Sequence, residues 1–277
     1  MSRTMIEFRS VSKRFPDGTL AVDDFSLVLP SRKTTVLVGS SGSGKTTLLR
    51  MINRMVEPTS GVIEIDGESI LDRNPVLLRR SIGYVMQNSG LLPHFKVIDN
   101  VATVPVLNGV TRRVARDQAL ALLETVGLTR ELAGRYPSEL SGGQQQRVGV
   151  ARGLAANPNI LLMDEPFGAV DPIVRAELQH EIIRLQRELD KTVVFVTHDI
   201  DEAFLLGDQV VILENGGRIA QIGSPTEIMS NPASDFVAEF IGIRQGKRAL
   251  TIKKTATGAI LVDSEGRAAG VLVGDER

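Results

Sequence analysis

The sequence has no cysteine and no tryptophan, and its 277 residues include only two tyrosines and three histidines. The lack of cysteine excludes disulfides and thiolate metal sites, and it permits a reducing compartment. Lysine and arginine together number 32, and aspartate and glutamate together number 33. The resulting net charge of −1 does not favour electrostatic capture of nucleic acid or of an acidic membrane.

Long hydrophobic runs are also missing. No apolar stretch approaches the roughly 20 residues that a helix needs to cross a bilayer. The segment Met1–Phe8 reaches a charged residue too early to be typical of a secretory signal. We therefore expect that any role at a membrane depends on a partner protein.

Short β-branched runs that alternate with helical patterns make up most of the chain. Between Leu91 and Ala156 the pattern is helical, and the alternation then resumes. The pattern predicts an α/β core that is interrupted by a helical insertion and preceded by a β-rich segment. Strands are predicted at 6–11, 21–29, 34–38, from Val62 onward, and at 160–163, 192–197, 209–213 and 218–222. One predicted helix carries an apolar face of Val114, Ala119, Leu122, Leu123 and Val126, with Gly127 as its C-terminal cap.

Residues 39–47 lie between an apolar strand and a helix pattern, which is the context of a phosphate-binding P-loop. Small residues are needed there because successive backbone N–H groups must turn toward phosphate oxygens. Lys45 would bridge the β- and γ-phosphates, and Thr46 would offer its hydroxyl to Mg²⁺. The alternative is a glycine-rich turn with an accidental lysine. The residues assigned to the nucleotide, taken to be ATP, are Gly39, Ser40, Ser41, Gly42, Ser43, Gly44, Lys45, Thr46 and Thr47.

Two carboxylates follow the apolar run Ile160–Met163. Such a run is typical of a strand buried in a parallel sheet, where ligands bind at the carboxyl ends of the strands. Asp164 is therefore expected near the metal, through a coordinated water, and Glu165 is suited to act as general base toward the attacking water. The alternative is a strand that enters an ordinary acidic turn.

A second glycine motif, Leu-Ser-Gly-Gly-Gln, occupies residues 140–144. Ser141 and Gln144 form the pattern of a helix capping box, and this alone would explain both residues. It does not explain the consecutive glycines Gly142 and Gly143, since each costs about 1 kcal/mol of helix propensity relative to alanine. Bare backbone at a helix N-terminus suits a second phosphate-binding surface. Both interpretations stay open from these residues alone.

The order of these motifs, followed by Thr197-His198-Asp199, resembles the nucleotide-binding subunit of ATP-binding-cassette (ABC) transporters. The resemblance covers roughly residues 4–243. It implies a P-loop NTPase (RecA-like) α/β core with an antiparallel β subdomain and an inserted α-helical subdomain at about residues 88–156. The nucleotide-binding domain would span residues 1–245, and 246–277 would form a short tail that resembles a fragment of a regulatory CBS module, with a turn at Asp263–Gly266.

The resemblance also implies roles that isolated residues would not suggest. Gln87 matches the glutamine that contacts the metal and the attacking water, although alone it would be interpreted as an exposed loop amide. His198 matches the histidine that contacts the γ-phosphate, although a satisfied histidine at a strand end is the commoner case. Phe15 lies where the family stacks an aromatic ring on adenine, and the alternative is a core phenylalanine. The implied catalytic residues are Lys45, Gln87, Glu165 and His198, and the implied metal ligands are Thr46, Gln87 and Asp164.

In this family two chains face each other across two nucleotides. Ser141, Gly142, Gly143, Gln144 and Asp171 would therefore contact the ATP that is bound to the loop of the other chain. Both half-sites are intact in this sequence, so the resemblance implies a twofold-symmetric homodimer.

Less universal stretches resemble the osmoprotectant branch of the family, which imports quaternary amines such as glycine betaine, choline or carnitine. The stretches are Met51–Gly61, Ser81–His94 and Phe167–Arg175. A subunit of this kind would sit at the cytoplasmic face of the membrane, contact permease subunits near Gln87–Asn100, and serve a solute-binding protein indirectly. Importers of methionine, other amino acids or polyamines share much of the pattern and remain alternatives.

Two other classes compete with the importer hypothesis. An ABC ATPase of DNA repair or of ribosomes usually has two cassettes, or coiled-coil or zinc insertions, and this sequence has one cassette and no cysteine, heptad run or basic patch. A cassette that only senses nucleotide would not need a general base at Glu165.

Overall fold

The computed structural model describes residues 5–87, 89–168, 171–243, 250–255, 258–262 and 266–271. Residues 263–265 of the turn predicted at Asp263–Gly266 lie outside these residues, as do positions 169–170 before Pro172. In chain order the elements of the first half are β1 (Ile6–Arg14), β2 (Leu20–Leu29), β3 (Thr34–Gly39), α1 (Lys45–Ile52), β4 (Ser60–Ile65), β5 (Glu68–Ser69), α2 (Pro75–Ser81), β6 (Ile82–Val85), α3 (Val97–Leu107) and α4 (Arg112–Thr125), followed by short 3₁₀ turns at Arg130–Gly134 and Pro137–Glu139. The second half contains α5 (Gly142–Leu154), β7 (Ile160–Asp164), α6 (Pro172–Leu189), β8 (Thr192–Thr197), α7 (Ile200–Leu206), β9 (Gln209–Leu213), a 3₁₀ turn at Asn215–Gly217, β10 (Ile219–Gly223), α8 (Pro225–Ser230), α9 (Asp235–Phe240), β11 (Thr251–Thr255), β12 (Gly258–Val262) and β13 (Ala268–Val271).

The N-terminal strands form an antiparallel sheet in the order β2-β1-β4-β5. Buried and exposed residues alternate along β2, as they do in a sheet with one face on a core. Phe8 and Phe25 meet edge to face on that buried side, with ring centroids 5.2 Å apart. This sheet is the antiparallel β subdomain that the family resemblance implied.

The central sheet has the strand order β10-β9-β3-β8-β7-β6. Its strands β9, β3, β8, β7 and β6 pair in parallel, and β10 returns antiparallel to β9. Every residue of β3, β7 and β8 is buried, which explains their near-continuous apolar sequences. The carboxyl ends of these three neighbouring strands lead to Gly39, Asp164 and Thr197, so residues that are distant in sequence meet at one edge of the sheet.

The helical region between β6 and β7 contains α3, α4 and α5. The inward face of α4 consists of Ala115, Ala119 and Leu123, which are spaced four residues apart. Val114, which the sequence placed on this face, is 39% exposed because it lies about 100° around the helix from Ala115. The helix ends as expected, since Gly127 follows it in the left-handed conformation with φ of 74°.

The remaining elements complete the sheet and add a small third one. The chain turns through Asn215–Gly217 between β9 and β10, and Ser224 then caps α8 with a capping box that includes Glu227. Strands β11, β12 and β13 form an antiparallel three-stranded sheet. Among the residues that the structure describes, no helix is both long enough and apolar enough to span a bilayer.

Candidate active site

The turn from β3 into α1 has the shape of a cradle for an anion. Gly42 and Gly44 have φ of 83° and 86°, a region that side chains with a Cβ rarely adopt. A Cβ on Gly44 would also approach the Ala21 carbonyl oxygen to 2.5 Å. The loop therefore requires glycine at position 44, the N-cap of α1, a helix whose first N–H groups have no partner within the helix.

Lys45 is buried at the base of this loop. Its ammonium donates hydrogen bonds to the carbonyl oxygens of Gly39 at 2.8 Å and Ser40 at 2.7 Å, and to the Ser43 hydroxyl at 3.2 Å. Burial lowers the pKa of the lysine, because desolvation disfavours the charged form, and the carboxylates of Glu165 and Asp164 act in the opposite direction. An anion in the cradle would give this ammonium a closer charge partner.

Asp164 at the end of β7 is joined to the first turn of α1. The Thr46 hydroxyl donates to Asp164 Oδ1 at 2.9 Å, although 118 residues separate the two in sequence. The hydroxyl and carboxylate that the sequence assigned to the metal therefore lie side by side. Because β3 and β7 flank β8, this contact depends on the strand order of the central sheet.

Two residues that sequence reasoning missed also reach Asp164. The Tyr84 hydroxyl donates to Oδ2 at 3.0 Å, and an Arg50 N–H donates to the same oxygen at 3.3 Å. Burial raises the pKa of Tyr84 to about 12, so its hydroxyl remains a donor at neutral pH. Arg50 could have been suspected because it lies four residues after Thr46 on α1.

Glu165 follows Asp164 in the chain, and its carboxylate contacts two further candidate site residues. The His198 Nδ1 atom lies 3.2 Å from Glu165 Oε2, and the Gln87 amide lies 3.4 Å from the same oxygen. The backbone of Glu165 has φ of 44°, which is uncommon outside glycine. The structure thus brings Gln87, Glu165 and His198 together.

A cleft of about 290 Å³ opens over the loop and ends at Glu165. Its second wall is formed by Thr19, Leu20 and Ala21 at the start of β2, which the sequence did not single out. Phe15 lies in the turn that leads to this wall, where its N–H donates to the Thr19 carbonyl oxygen at 2.9 Å. The Phe15 ring is half-buried and the Lys13 ammonium lies 5.3 Å from its centroid. The phenylalanine is therefore outside the fully buried core.

The glycine motif at 140–144 lies at the start of α5. Ser141 accepts a hydrogen bond from the Gln144 N–H at 3.3 Å, and the Gln144 side chain accepts one from the Ser141 N–H at 3.0 Å, so the capping box is formed. Within the described part of the chain, no hydrogen bond joins this motif to residues 39–47. Asp171 immediately precedes α6, and its carbonyl oxygen accepts the Arg175 N–H at 2.8 Å.

Glu202, four residues after His198, is a buried carboxylate that the sequence analysis did not identify. Glu202 accepts a hydrogen bond from the Thr197 hydroxyl at 2.7 Å and one from the Gln179 amide at 3.4 Å. Burial raises the pKa of Glu202, and the Thr197 hydrogen bond partly opposes this effect. The residue therefore connects α6 to the loop that carries His198.

The oxygen donors at this site suit a magnesium ion that is shared with a nucleotide. Thr46 and Asp164 supply a hydroxyl and a carboxylate, and Glu165 follows next in the chain. Among the described residues no cluster of three or more His, Cys, Asp or Glu side chains could hold a metal ion by itself. Mg²⁺ is usually held by one or two carboxylates together with phosphates and water, so the residues present fit it.

Comparison with known proteins places this geometry in a family. Residues 22–168, more than half of the chain, match the family described as ABC transporter. The glycine betaine/carnitine/choline transport ATP-binding protein OpuCA of Bacillus subtilis is 51% identical over 238 residues, which are 86% of this chain and 62% of that protein. The chain thus spans less than two thirds of that relative. The glycine betaine uptake system ATP-binding protein YehX of Escherichia coli is 47% identical over 273 residues, covering 98% of this chain and 87% of that protein.

A solved structure gives the same result for the fold. The dimeric structure of the ATP-binding cassette MJ0796 bound to ADP and Pi, in a post-hydrolysis state, superposes with a TM-score of 0.72 and 32% sequence identity. It covers 79% of this chain and 98% of the cassette. The predicted α/β P-loop fold and the family resemblance are both confirmed. The chain belongs to the ABC transporter family and has the fold of an ATP-binding cassette.

Proposed function

We propose that this chain binds and hydrolyses ATP and thereby energises an importer of quaternary-amine osmoprotectants. The observation that carries the ATPase part is the 2.9 Å contact between the Thr46 hydroxyl and Asp164 Oδ1. The contact joins a hydroxyl and a carboxylate close to Lys45 and Glu165, which line one cleft with Thr46, and it supports a site for a magnesium–nucleotide there.

Binding would use the cradle at residues 39–47. Backbone N–H groups and the N-terminus of α1 favour phosphate oxygens. The Lys45 ammonium is held by the Gly39 and Ser40 carbonyl oxygens, at the position from which it can turn to the β- and γ-phosphates. Phe15 would stack on the base, with Lys13 already against its ring.

Magnesium would be held by Thr46 and, through a water, by Asp164, with Gln87 as a further ligand. When bound, Mg²⁺ neutralises charge on the phosphate oxygens. Hydrolysis would use the Glu165 carboxylate to accept a proton from the attacking water. His198 and Gln87 orient this carboxylate through their contacts with Oε2.

The motif Ser141–Gln144 would act in trans, in a homodimer. The side of the motif formed by Ser141 and Gly142 is exposed at the N-terminus of α5, a helix of 13 residues whose first N–H groups suit an anion. The dimeric state of the related MJ0796 cassette supports this arrangement. Asp171, next to α6, would lie in the same interface.

The solute assignment is supported by the relatives, whose names specify glycine betaine, carnitine and choline. The chain would work at the cytoplasmic face of the membrane, bound to permease subunits that receive solute from a binding protein. A groove of about 250 Å³ lined by Tyr84, Met86, Gly90 and Arg152 lies beside Gln87 and would face the permease. Leu92 and Phe95 are exposed apolar side chains of the same segment.

Replacement of the general base tests the ATPase proposal. We expect Glu165→Gln to bind ATP, to form a stable nucleotide-bound dimer, and to release phosphate about a hundredfold or more slowly than the wild type. Phosphate release, nucleotide affinity and size-exclusion elution would be measured together. The matched control is Glu131→Gln, at an exposed position of a 3₁₀ turn in the helical region. Unchanged turnover in Glu165→Gln would contradict the assignment of the base.

A test of the proposed solute class requires the membrane partner of this chain. The chain would be purified with its permease subunits, reconstituted in liposomes with the binding protein, and assayed for uptake of labelled glycine betaine, choline and carnitine. Methionine and spermidine serve as the comparison solutes. ATP-dependent uptake of the comparison solutes alone would contradict the osmoprotectant proposal and leave the ATPase proposal intact.

The division into a domain at 1–245 and a tail at 246–277 is also a proposal. The strands β11, β12 and β13 pair with one another, which supports a separate unit. We expect deletion of residues 250–277 to leave ATPase activity intact. Loss of activity in a truncated protein that still folds and dimerises would contradict the division.

A further inference from the structure

The carboxylate of Asp164 is held from two sides. Asp164 is 6% exposed, so its charge must be compensated by donors within the protein. One oxygen, Oδ1, accepts the Thr46 hydroxyl at 2.9 Å. The other, Oδ2, accepts the Tyr84 hydroxyl at 3.0 Å and an Arg50 N–H at 3.3 Å. The two oxygens are therefore distinguished by their partners.

The donors come from two different elements. Thr46 and Arg50 lie one helical turn apart on α1, and Tyr84 lies on β6, the strand that pairs with β7. An Arg50 N–H lies 3.4 Å from the Tyr84 hydroxyl oxygen. That oxygen can accept from the arginine while its own proton is donated to Asp164. Tyr84 thus links the edge strand of the sheet to the carboxylate next to the phosphate loop.

Metal binding at Oδ1 is compatible with the contacts on both oxygens. A threonine hydroxyl has one proton and two lone pairs, so Thr46 could coordinate Mg²⁺ through a lone pair while it still donates to Oδ1. The bonds to Oδ2 would hold the other oxygen of the carboxylate while Oδ1 faces the metal shell. The Arg50 side chain is 45% exposed and long, whereas the Tyr84 ring is half-buried and has few rotatable bonds. Tyr84 is therefore the donor that fixes the direction of the carboxylate.

We propose that Tyr84 is a positioning residue for the magnesium site, whose hydroxyl holds Asp164 Oδ2 so that Oδ1 faces the metal beside Thr46. The inference rests on the proposed binding of a magnesium–nucleotide, and it assigns Tyr84 a role through Asp164, not in contact with the reacting atoms. Partners that orient a metal-binding side chain commonly change metal affinity about tenfold or more when they are removed.

The test separates metal binding from nucleotide binding in the full chain. The affinity for a fluorescent, non-hydrolysable ATP analogue is measured once in EDTA and once in saturating Mg²⁺, for the wild type, for Tyr84→Phe and for Tyr136→Phe. Tyr136 is the other tyrosine of the sequence and is 43% exposed, so its variant removes the same atom elsewhere. We expect Tyr84→Phe to reduce the gain in affinity given by Mg²⁺ about tenfold, and its affinity in EDTA to stay within about twofold of the wild type. We expect Tyr136→Phe to match the wild type in both.

Three other outcomes would be decisive. An unchanged Mg²⁺ gain in Tyr84→Phe overturns the inference. A loss of affinity in EDTA that accounts for the whole defect shows that Tyr84 only maintains the packing of the loop, and it overturns the inference as well. If the wild type itself binds the analogue equally well with and without Mg²⁺, the proposed magnesium–nucleotide function fails, and the inference that depends on it falls for that separate reason.

Discussion

The Nδ1 atom of His198 lies 3.2 Å from Oε2 of Glu165. For a hydrogen bond to form there, Nδ1 must carry the proton, so in a neutral ring Nε2 is left as an acceptor. Gln87 approaches the same oxygen at 3.4 Å. Gln87, Glu165 and His198 follow β6, β7 and β8, respectively. The side chains of Gln87 and His198 therefore meet at one oxygen of Glu165, and both can orient its carboxylate.

We expect His198→Ala to slow ATP hydrolysis by about a hundredfold, because Glu165, the proposed general base, loses a hydrogen-bond partner that orients it. ATP affinity is expected to change by less than about threefold, since the imidazole is 64% exposed and contacts Glu165 and not residues 39–47. Steady-state turnover and equilibrium binding of the nucleotide check the two parts. The control is His180→Ala on α6, an exposed histidine that contacts its own helix at the Ala176 carbonyl oxygen. A large loss of affinity with unchanged turnover would contradict this assignment.

We expect Lys45→Met to act mainly by weakening ATP binding. The variant keeps the length of the side chain and removes the ammonium that now contacts the Gly39 and Ser40 carbonyl oxygens. Hydrogen bonds to charged groups contribute about 1.5–3 kcal/mol, so we expect ATP affinity to fall at least about tenfold. Isothermal titration with a non-hydrolysable analogue measures the change. Lys33→Met, at an exposed position just before β3, is the matched control and should bind as the wild type does. Equal affinity in Lys45→Met and wild type would remove Lys45 from the phosphate site.

The parts of this site that sequence reasoning predicted are local in the chain. The loop at 39–47 and the capping box at 141–144 each depend on consecutive residues that favour a particular backbone conformation. The structure contains both the loop and the capping box, as expected. The helix that follows Lys45 and the buried strand that ends at Asp164 were predicted for the same reason. Periodicity and capping act over a few residues, so they can be interpreted without the fold.

The contacts of Tyr84 and Arg50 could not be predicted in this way. They join Asp164 to residues that lie 80 and 114 positions away, and they exist because β6 pairs with β7 and α1 follows β3. Strand β6 itself is only four residues long and was not predicted. Glu202 was missed for a related reason, since its burial depends on how α6 packs against the loop after β8. Strand order is a property of the whole sheet and not of a sequence window.

Arg152 is expected to be important for the segment that follows Gln87. Its guanidinium donates to the carbonyl oxygens of Ser89 at 2.6 Å and Gly90 at 2.7 Å, and both of these residues have positive φ, 52° and 56°. We expect Arg152→Met to lower the free energy of unfolding by about 1–3 kcal/mol, because two carbonyl groups lose a charged donor. It should also increase amide hydrogen exchange around Ser89 and Gly90 more than elsewhere.

Denaturant unfolding and hydrogen exchange followed by mass spectrometry would measure these two effects. Arg113→Met, at an exposed position of α4, removes an arginine of the same size and serves as the control. If exchange around Ser89 were unchanged in the Arg152 variant, the segment would be held by other contacts, such as the 3.3 Å hydrogen bond from the Gln146 amide to the Met86 carbonyl oxygen.

Glu202 should make stability depend on pH. Burial raises its pKa above the ordinary value of 4.5, while the Thr197 hydroxyl and the more distant Arg175 and His198 act against burial and Asp199 adds to it. A carboxyl group with a raised pKa in the folded state binds its proton more tightly there than in the unfolded chain. Its favourable contribution is therefore fully present below the ordinary pKa and is lost as pH rises through the raised value.

Glu202→Gln cannot ionise, so it should gain stability relative to the wild type as pH increases across that window. The amide keeps an acceptor for the Thr197 hydroxyl and resembles the protonated carboxyl in shape. Urea unfolding midpoints of the two proteins, measured in steps from about pH 4 to pH 8, would give the difference. Glu239→Gln on α9 is exposed and serves as the control for loss of one surface charge. A difference between Glu202→Gln and wild type that stays constant with pH, or that moves in favour of the wild type as pH rises, would contradict the buried protonated carboxyl. The same pH series of phosphate release would show whether Glu202, which contacts the loop of His198, also changes turnover in that window.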